Sequence, residues 1–477
     1  MGSRKVTSTV SADFQGKHVT VAGLGVSGIP AAKVLHARGA LVTVVNDGDD
    51  ARAREQAAEL EALGITVRLG DGRTLPEGTE LVVTSPGWKP GSPLFEAARE
   101  AGVEVWGDVE LAWRLRGPDA APWLAITGTN GKTTTTQMLA SILKAAGLRT
   151  AAVGNIGISV LDAVLGEERY DVLAVELSSY QLHWAPSVRA HSAAVLNLAP
   201  DHLDWHGSME AYARDKGRVY EGNRVACVYN VADKATEDLV READVEEGCR
   251  AIGFTLGSPG PSQLGVVDGI LVDRAFVENR QKNAQELAEV SDVNPPAPHN
   301  IANALAAAAL ARAFGVPAKA VRDGLRAFTP DAHRIAHVAD VDGVAYVDDS
   351  KATNTHAAEA SLAAYESIVW IAGGLAKGAS FDELVAKSAK RLRGVVLIGA
   401  DRALIREALA RHAPEVPVVD LDRTDTGAML QAVTEAKRLA QPGDTVLLAP
   451  ACASMDMFTN YNKRGDAFAE AVRELGS

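Results

Sequence analysis

The segment Gly128-Thr129-Asn130-Gly131-Lys132-Thr133-Thr134 follows the apolar run Trp123-Leu124-Ala125-Ile126-Thr127 and has the residue types that hold phosphates. Glycines let backbone N–H groups close on phosphate oxygens, and a lysine adds a point charge for the terminal phosphates. The hydroxyl that follows can sit on Mg²⁺. Lys132 is therefore the candidate phosphate ligand and Thr133 the candidate metal ligand. The general loop has its first glycine where this chain has Ile126, so the loop departs from the commonest pattern.

Other groups able to do chemistry cluster at the ends of apolar runs. Glu176 ends the run Val172 to Val175, where a hard cation would accept an oxygen ligand. Asn197-Leu198-Ala199-Pro200-Asp201-His202-Leu203-Asp204 ends another run, and Lys216 follows on an expected helix. Asn300 and Asn303 share one face of a helix start, as an N-cap or as amides able to read an adenine edge. Gly23-Leu24-Gly25-Val26-Ser27-Gly28 matches a dinucleotide fingerprint between strand and helix, with Asn46 and Asp47 near the expected ribose contact. Ser85-Pro86-Gly87 would add a second loop to that crevice. The motif leaves open whether the diphosphate belongs to NAD or to another nucleotide. Three further loops, Asp348 to Asn354, Gly373 to Gly378 and Ala449 to Asp456, bring lysines, serines and small residues to strand ends, which suits a ligand with carboxylates.

These groups need α/β units to place them. Strand and helix patterns alternate from Lys17 to about Asp108, and again from Trp123 to the helices Asn300 to Phe314 and Ala318 to Ala327. Between these, Gly253 to Pro298 is Gly/Pro-rich and weakly patterned. Phe328 to Arg334 breaks the pattern with a proline and reads as a linker. A third unit has strands near Val344 to Val347, Ile368 to Ile371, Val395 to Ile398 and Thr445 to Leu448. The expected domains are 1–108, 109–329 and 330–477, a division that suits 477 residues.

Composition narrows the function class. A net charge of -13 argues against nucleic acid as the main partner, so anionic substrates must be held by local cations and helix N-termini. The longest apolar stretch, Ile301 to Phe314, is too short to span a membrane. Met1 to Phe14 is polar, so the expected location is the cytoplasm. Cys227, Cys249 and Cys452 have no metal-ligand spacing and read as ordinary thiols.

Taken together, the motifs resemble those of the Mur ligases, ATP-dependent amide-bond-forming enzymes of peptidoglycan synthesis. The short loop Gly128 to Thr134 is similar to that family's phosphate loop, as are Glu-Leu-Ser-Ser at Glu176, Asp-His-Leu-Asp at Asp201 and His-Asn-x-x-Asn at His299. Asp349 to Asn354, Pro450 to Phe458 and Arg464-Gly465 resemble the branch that adds D-glutamate. The resemblance implies a Rossmann-like N-terminal domain for the UDP substrate, a central P-loop ATPase-like domain and a C-terminal Rossmann-like α/β domain for the amino acid. It implies UDP-N-acetylmuramoyl-L-alanine and D-glutamate as substrates, ATP, two Mg²⁺ sites and a monomer.

The resemblance also assigns roles. Gly128, Thr129, Asn130, Gly131, Lys132, Thr133 and Thr134 would take ATP, with Asn300, Asn303, Arg334 and Asp349. Thr133 and Glu176 would hold Mg²⁺, and His202 with a carbamylated Lys216 a second one. Val26, Ser27, Ser85 and Gly87 would meet the UDP substrate, and Asn155 and His202 its muramoyl part. Lys351, Thr353, Lys377, Ser454, Met455 and Tyr461 would serve the amino acid, with Lys351 also among the catalytic candidates. The family's aspartate after the second strand falls on Asn46 here, and its frequent phenylalanine on Tyr461. Closure about Thr329 to Arg334 is expected. Outside this resemblance stand a nicotinamide-dependent oxidoreductase, which would use only the Gly23 fingerprint, and a nucleotide-driven switch, which would use only the phosphate loop. A ligase for another amino acid is the alternative within the family.

Overall fold

The computed structural model describes residues 13–423, 425 and 427–475. Residues 1–12 of the polar N-terminal tract lie outside the described ones. The chain forms two compact units, one reaching Val293 and including Ile301–Phe328, the other made of Asn294–Asn300 and Thr329 onward.

The first unit holds two sheets. One has strands β1 (His18–Ala22), β2 (Leu41–Asn46), β3 (Thr66–Leu69), β4 (Leu81–Thr84) and β5 (Glu104–Gly107). All are parallel, in the order β3-β2-β1-β4-β5. The order reverses between β1 and β4, and in doubly wound sheets a ligand crevice lies at that switch point. The Gly23 turn follows β1 and the Ser85 loop follows β4, so both sequence candidates flank it.

The other sheet has β6 (Trp123–Thr127), β7 (Ala152–Gly154), β8 (Leu173–Glu176), β9 (Ser192–Val195), β10 (Ala226–Asn230), β11 (Arg250–Phe254), β12 (Gln263–Val267), β13 (Ile270–Asp273) and β14 (Gln285–Glu289). Its order is β14-β13-β12-β11-β10-β9-β6-β8-β7. The strands β6, β8 and β9 are buried at every residue, which is why they read as continuous apolar runs rather than as alternation. The apolar stretch from Ile301 belongs to the helix Pro298–Ala313, whose residues Ala304 to Ala311 are all buried in the core. No helix among the described residues is long and apolar enough to cross a membrane.

The weakly patterned stretch after Gly253 contains the antiparallel strands β12 to β14, which the sequence reading did not anticipate. Asp268 and Gly269 join β12 to β13 with φ of 49° and 76°. Two left-handed residues in a two-residue loop give a turn whose twist matches that of the flanking strands.

The second unit has β15 (Ala336–Val341), β16 (Val344–Asp348), β17 (Ile368–Gly373), β18 (Leu392–Ile398), β19 (Val418–Asp420) and β20 (Thr445–Leu448). Their order is β15-β16-β20-β17-β18-β19, parallel except for the edge hairpin β15-β16. Each expected domain range therefore contains one sheet.

Candidate active site

The phosphate loop leaves β6 after Thr127. Ile126, which stands in place of the usual first glycine, is a fully buried strand residue in register with Glu176 of β8 and Ala194 of β9. A glycine there would remove core packing and free nothing, so the loop is short because the strand continues. Gly131 caps the helix Lys132–Ala145 with φ 82°, and a Cβ on it would lie 2.4 Å from Asn303 Oδ1. The glycine thus admits the Asn303 amide against the loop. Lys132 Nζ folds back to donate to the carbonyl oxygens of Gly128 (2.9 Å) and Thr129 (2.8 Å). Thr133 lies in the first helical turn and is half-buried, and Thr134 is buried.

Two residues that sequence reading did not assign hold this loop. Asn197 Oδ1 accepts from Asn130 N at 2.8 Å, and Asn197 Nδ2 donates to Asn130 O at 3.1 Å. The Thr129 hydroxyl lies 2.9 Å from Tyr212 OH and accepts from Ala199 N at 3.0 Å. Asn197 was visible as part of the polar cluster after β9, but nothing in the sequence tied it to the loop.

Glu176, 1% exposed, accepts from Asn155 Nδ2 at 2.9 Å through Oε1, while its Oε2 is buried without a partner. An unpartnered buried carboxylate oxygen is costly, and a hard cation satisfies it. No group of three or more His, Cys, Asp or Glu able to hold a metal occurs among the described residues. Mg²⁺ fits this place if a hydroxyl such as that of Thr133 and substrate oxygens complete the set.

Lys216 is buried (2% exposed), and its Nζ donates to Gly128 O at 2.8 Å. It therefore shares that carbonyl with Lys132 Nζ. Burial, followed by the charge of Lys132, pushes the Lys216 ammonium well below its ordinary pKa. His202 has φ 54°, and its Nε2 lies 3.5 Å from Asp201 Oδ2. Burial lowers its pKa, Asp201 opposes this, and the charges of Lys132 and Lys216 add to the lowering. Lys132, Lys216 and His202 thus feel one another's fields, as convergent site residues do.

Behind them lies a network that the sequence did not reveal. Asp215 Oδ2 is bonded to His183 Nδ1 (2.9 Å) and His206 Nδ1 (3.0 Å), and His206 Nε2 reaches Ser179 Oγ at 2.9 Å. Burial pushes the Asp215 carboxyl up, but the two histidine hydrogen bonds outweigh it and hold it at about 2. The network ties the segment after Glu176 to the residue before Lys216.

At the first sheet, Gly28 is required because a Cβ would lie 2.0 Å from Gly23 O. Ser27 Oγ donates to Asp108 at 2.8 Å, Val26 is 91% exposed, and Ser85 Oγ is buried without a partner. Gly87 is exposed. Asn46 Oδ1 accepts from Leu24 N at 3.3 Å, so this side chain braces the glycine turn, while Asp47 lies 3.9 Å from Arg73.

In the second unit, Lys351 Nζ lies 4.1 Å from the centre of the Tyr461 ring. The loops at Leu375 and Ala453 exchange backbone hydrogen bonds at 2.9 and 3.0 Å, which places the Ser454 segment beside the glycine-rich one. Ser454 is buried, Met455 and Lys377 are exposed, and Thr353 is half-buried. Burial raises the Asp349 carboxyl to about 6 against a hydrogen bond from Ser361, and Arg334 adds a stabilising charge. Asn300 Nδ2 donates to Pro295 O at 3.3 Å.

Arg464, buried on the helix Tyr461–Leu475, joins two of these loops. Nε and Nη2 donate to Ser350 Oγ and O (3.0 and 2.8 Å), and Nη1 donates to Cys452 O at 3.1 Å. Arg464→Ala is expected to cost about 3 kcal/mol or more, because it leaves buried acceptors unpaired and a cavity behind. Urea unfolding of wild type and variant measures this.

His333 supplies a pH dependence. Its Nδ1 lies 2.6 Å from Asp348 Oδ2, and that hydrogen bond, against burial, raises its pKa above the ordinary 6.5. A raised pKa means that the protonated form stabilises the fold below the unfolded value, and that this stabilisation is lost as pH rises through the folded value. Stability should therefore fall above pH 6.5 in wild type relative to His333→Gln, as followed by denaturant midpoints across pH. Parallel curves would remove the role of this pair.

Comparison with known proteins agrees with this geometry. Residues 17–107 match the family description "Mur ligase MurD-like, N-terminal domain", residues 126–311 "Mur ligase middle domain", and residues 333–452 "Mur ligase, glutamate ligase domain". A Streptomyces coelicolor protein named UDP-N-acetylmuramoylalanine--D-glutamate ligase is 88% identical over 468 residues, which is 98% of this chain and 99% of that protein. A Thermobifida fusca protein of the same name is 61% identical, covering 97% of this chain and 99% of its own length. The fold is shared with the MurF ligase from Thermotoga maritima solved in complex with ADP, at a TM-score of 0.57 and 16% identity over 98% of this chain and 97% of that one. With a short phosphate loop, a buried glutamate beside it and three matching domains in order, the chain belongs to the Mur ligase family.

Proposed function

We propose that the chain is an ATP-dependent ligase that joins D-glutamate to UDP-N-acetylmuramoyl-L-alanine, a cytoplasmic step in making peptidoglycan precursor. The observation that carries this most directly is the meeting of Lys132 and Lys216 on the Gly128 carbonyl, beside a Glu176 carboxylate with one oxygen unpaired. Relatives up to 88% identical bear the name of that reaction. No comparison supports the oxidoreductase reading of the Gly23 turn.

A carboxylate resists attack by an amine and has no good leaving group, so it must be activated. Transfer of the terminal phosphoryl group of ATP to the L-alanyl carboxylate gives an acyl phosphate and ADP. The amine of D-glutamate then adds to the carbonyl carbon, and phosphate leaves as the amide forms. Negative charge accumulates in both steps, so its neutralisation is the main task of the residues. Lys132 and the loop N–H groups hold the terminal phosphates, and Asn155 fixes Glu176 for the cation. Bound Mg²⁺ would supply further charge neutralisation.

Lys216 fits a second role. Its lowered pKa favours the neutral amine, the form that can add CO₂ to give a carbamate and release a proton. The carbamate is an anionic oxygen ligand, which lets a lysine support a metal beside His202 rather than repel it. In the second unit, Lys351, Thr353, Lys377, Ser454 and Tyr461 serve the amino acid, whose two carboxylates need cations or hydroxyls. The test is phosphate release with UDP-N-acetylmuramoyl-L-alanine and a panel of D- and L-amino acids. Release with D-glutamate alone is expected, and a preference for another amino acid would reassign the branch.

A further inference from the structure

The phosphate loop lies at the C-terminal edge of the central sheet. The opposite edge holds a cavity of about 340 Å³, lined by Trp113, Arg116, Trp123, Arg189, His191, Arg224 and Glu246. Arg116 precedes β6, Arg189 and His191 precede β9, Arg224 precedes β10 and Glu246 precedes β11. The five residues of β6 separate this edge from the loop by about 17 Å. We propose that this cavity is a second anion site, which takes a small phosphate-bearing ligand between Arg116 and Arg224.

The charges there are uncompensated. Arg224 has no hydrogen-bond or ion-pair partner among the described residues. Arg116 lies over the Trp113 ring, 3.0 Å from its centre, and its Nε is buried without a partner. Trp123 Nε1 is also buried and unpartnered, which adds a neutral donor to the same walls. Arg189 is partly engaged, because its Nη1 donates to the carbonyls of Pro186 and Val188. Many arginines elsewhere are paired: Arg54 with Asp49, Arg149 with Asp171, and Arg402 with Asp420. In a protein with 61 acidic residues and a net charge of -13, these guanidiniums form a local excess of positive charge.

The field of the cluster is visible in its members. Burial, with the charge of Arg224 added, lowers Arg116 to about 10 and His191 to about 4. His191 is therefore a neutral ring that can donate or accept, while the two guanidiniums repel each other. A phosphate placed between them relieves that repulsion and gives the planar donors the oxygens they fit best. Glu246 is the one carboxylate on the wall, and it forms no ion pair with the arginines among the described residues. Its charge repels an anion, so a bound phosphate keeps to the arginine side.

The probe is inorganic pyrophosphate, titrated calorimetrically without Mg²⁺ at fixed ionic strength into full-length protein. Wild type is expected to bind at both edges of the sheet, and Lys132→Ala is expected to keep the arginine site alone. In the Lys132→Ala background, Arg224→Gln should weaken binding about tenfold or more, as expected for loss of a charge-assisted phosphate contact. Glu246→Gln should tighten it. Without ligand, Arg224→Gln should melt no lower than its parent, because the removed charge had no partner. That result separates a ligand site from a structural arginine. No binding to Lys132→Ala, or binding that Arg224→Gln leaves unchanged, would overturn the proposal. So would a loss of stability shared by Arg224→Gln and Glu246→Gln, since the two would then be partners.

Discussion

Lys132→Ala is expected to lower turnover by about a hundred- to a thousandfold, the scale seen when a preorganised group facing developing charge is removed. The effect should fall on kcat more than on folding, because Lys132 is half-buried at the loop and its Nζ donates to the carbonyls of Gly128 and Thr129 rather than filling the core. Asn197, Tyr212 and Gly131 still define the loop when the lysine is gone. Lys132→Arg should not restore the rate, since a planar fork cannot take the place of a compact ammonium turned back on two carbonyls. Steady-state kinetics with thermal melts of the same preparations measure both parts. A loss of less than about threefold would remove Lys132 from the centre of the mechanism.

Removal of dissolved CO₂ should produce the second large effect. The amine of Lys216 is buried and held well below its ordinary pKa by burial and by Lys132, so it is available to react. Wild-type activity should fall in CO₂-free buffer by about tenfold or more, on the scale of losing support around a metal, and return with bicarbonate. Lys216→Ala should be impaired to a similar degree and indifferent to CO₂. Carbon NMR with labelled bicarbonate should show a carbamate signal in wild type that Lys216→Ala lacks. If CO₂ removal lowers Lys216→Ala as much as wild type, the carbamate assignment is wrong.

The parallel strands buried at every residue, and the motifs at their ends, were legible because burial on both faces writes them as apolar runs. Trp123 to Thr127 and Ile368 to Ile371 are examples. The strands β12 to β14 and β15 were not recognised, although the β12-β13 and β15-β16 hairpins announce themselves with Asp-Gly, at Asp268-Gly269 and Asp342-Gly343. Their strands are short and partly exposed, so the turn was the stronger signal and the apolar pattern the weaker one. What could not be read is contact between distant residues. Asn197 on Asn130, Asp215 between His183 and His206, and Arg464 across Ser350 and Cys452 join positions separated by 67, 32 and 114 residues in their longest spans. The arginine cavity is of the same kind, since four separate segments supply its cations, His191 and Glu246.

Activation of the carboxylate as an acyl phosphate has a direct isotopic signature. UDP-N-acetylmuramoyl-L-alanine labelled with ¹⁸O in its terminal carboxylate should deliver one ¹⁸O to the released phosphate for each amide bond formed with D-glutamate, as read by mass spectrometry. Amide formation that leaves the phosphate unlabelled would mean that the carboxylate oxygen never bonds to phosphorus, and would contradict the mechanism built on Lys132, Glu176 and Lys216.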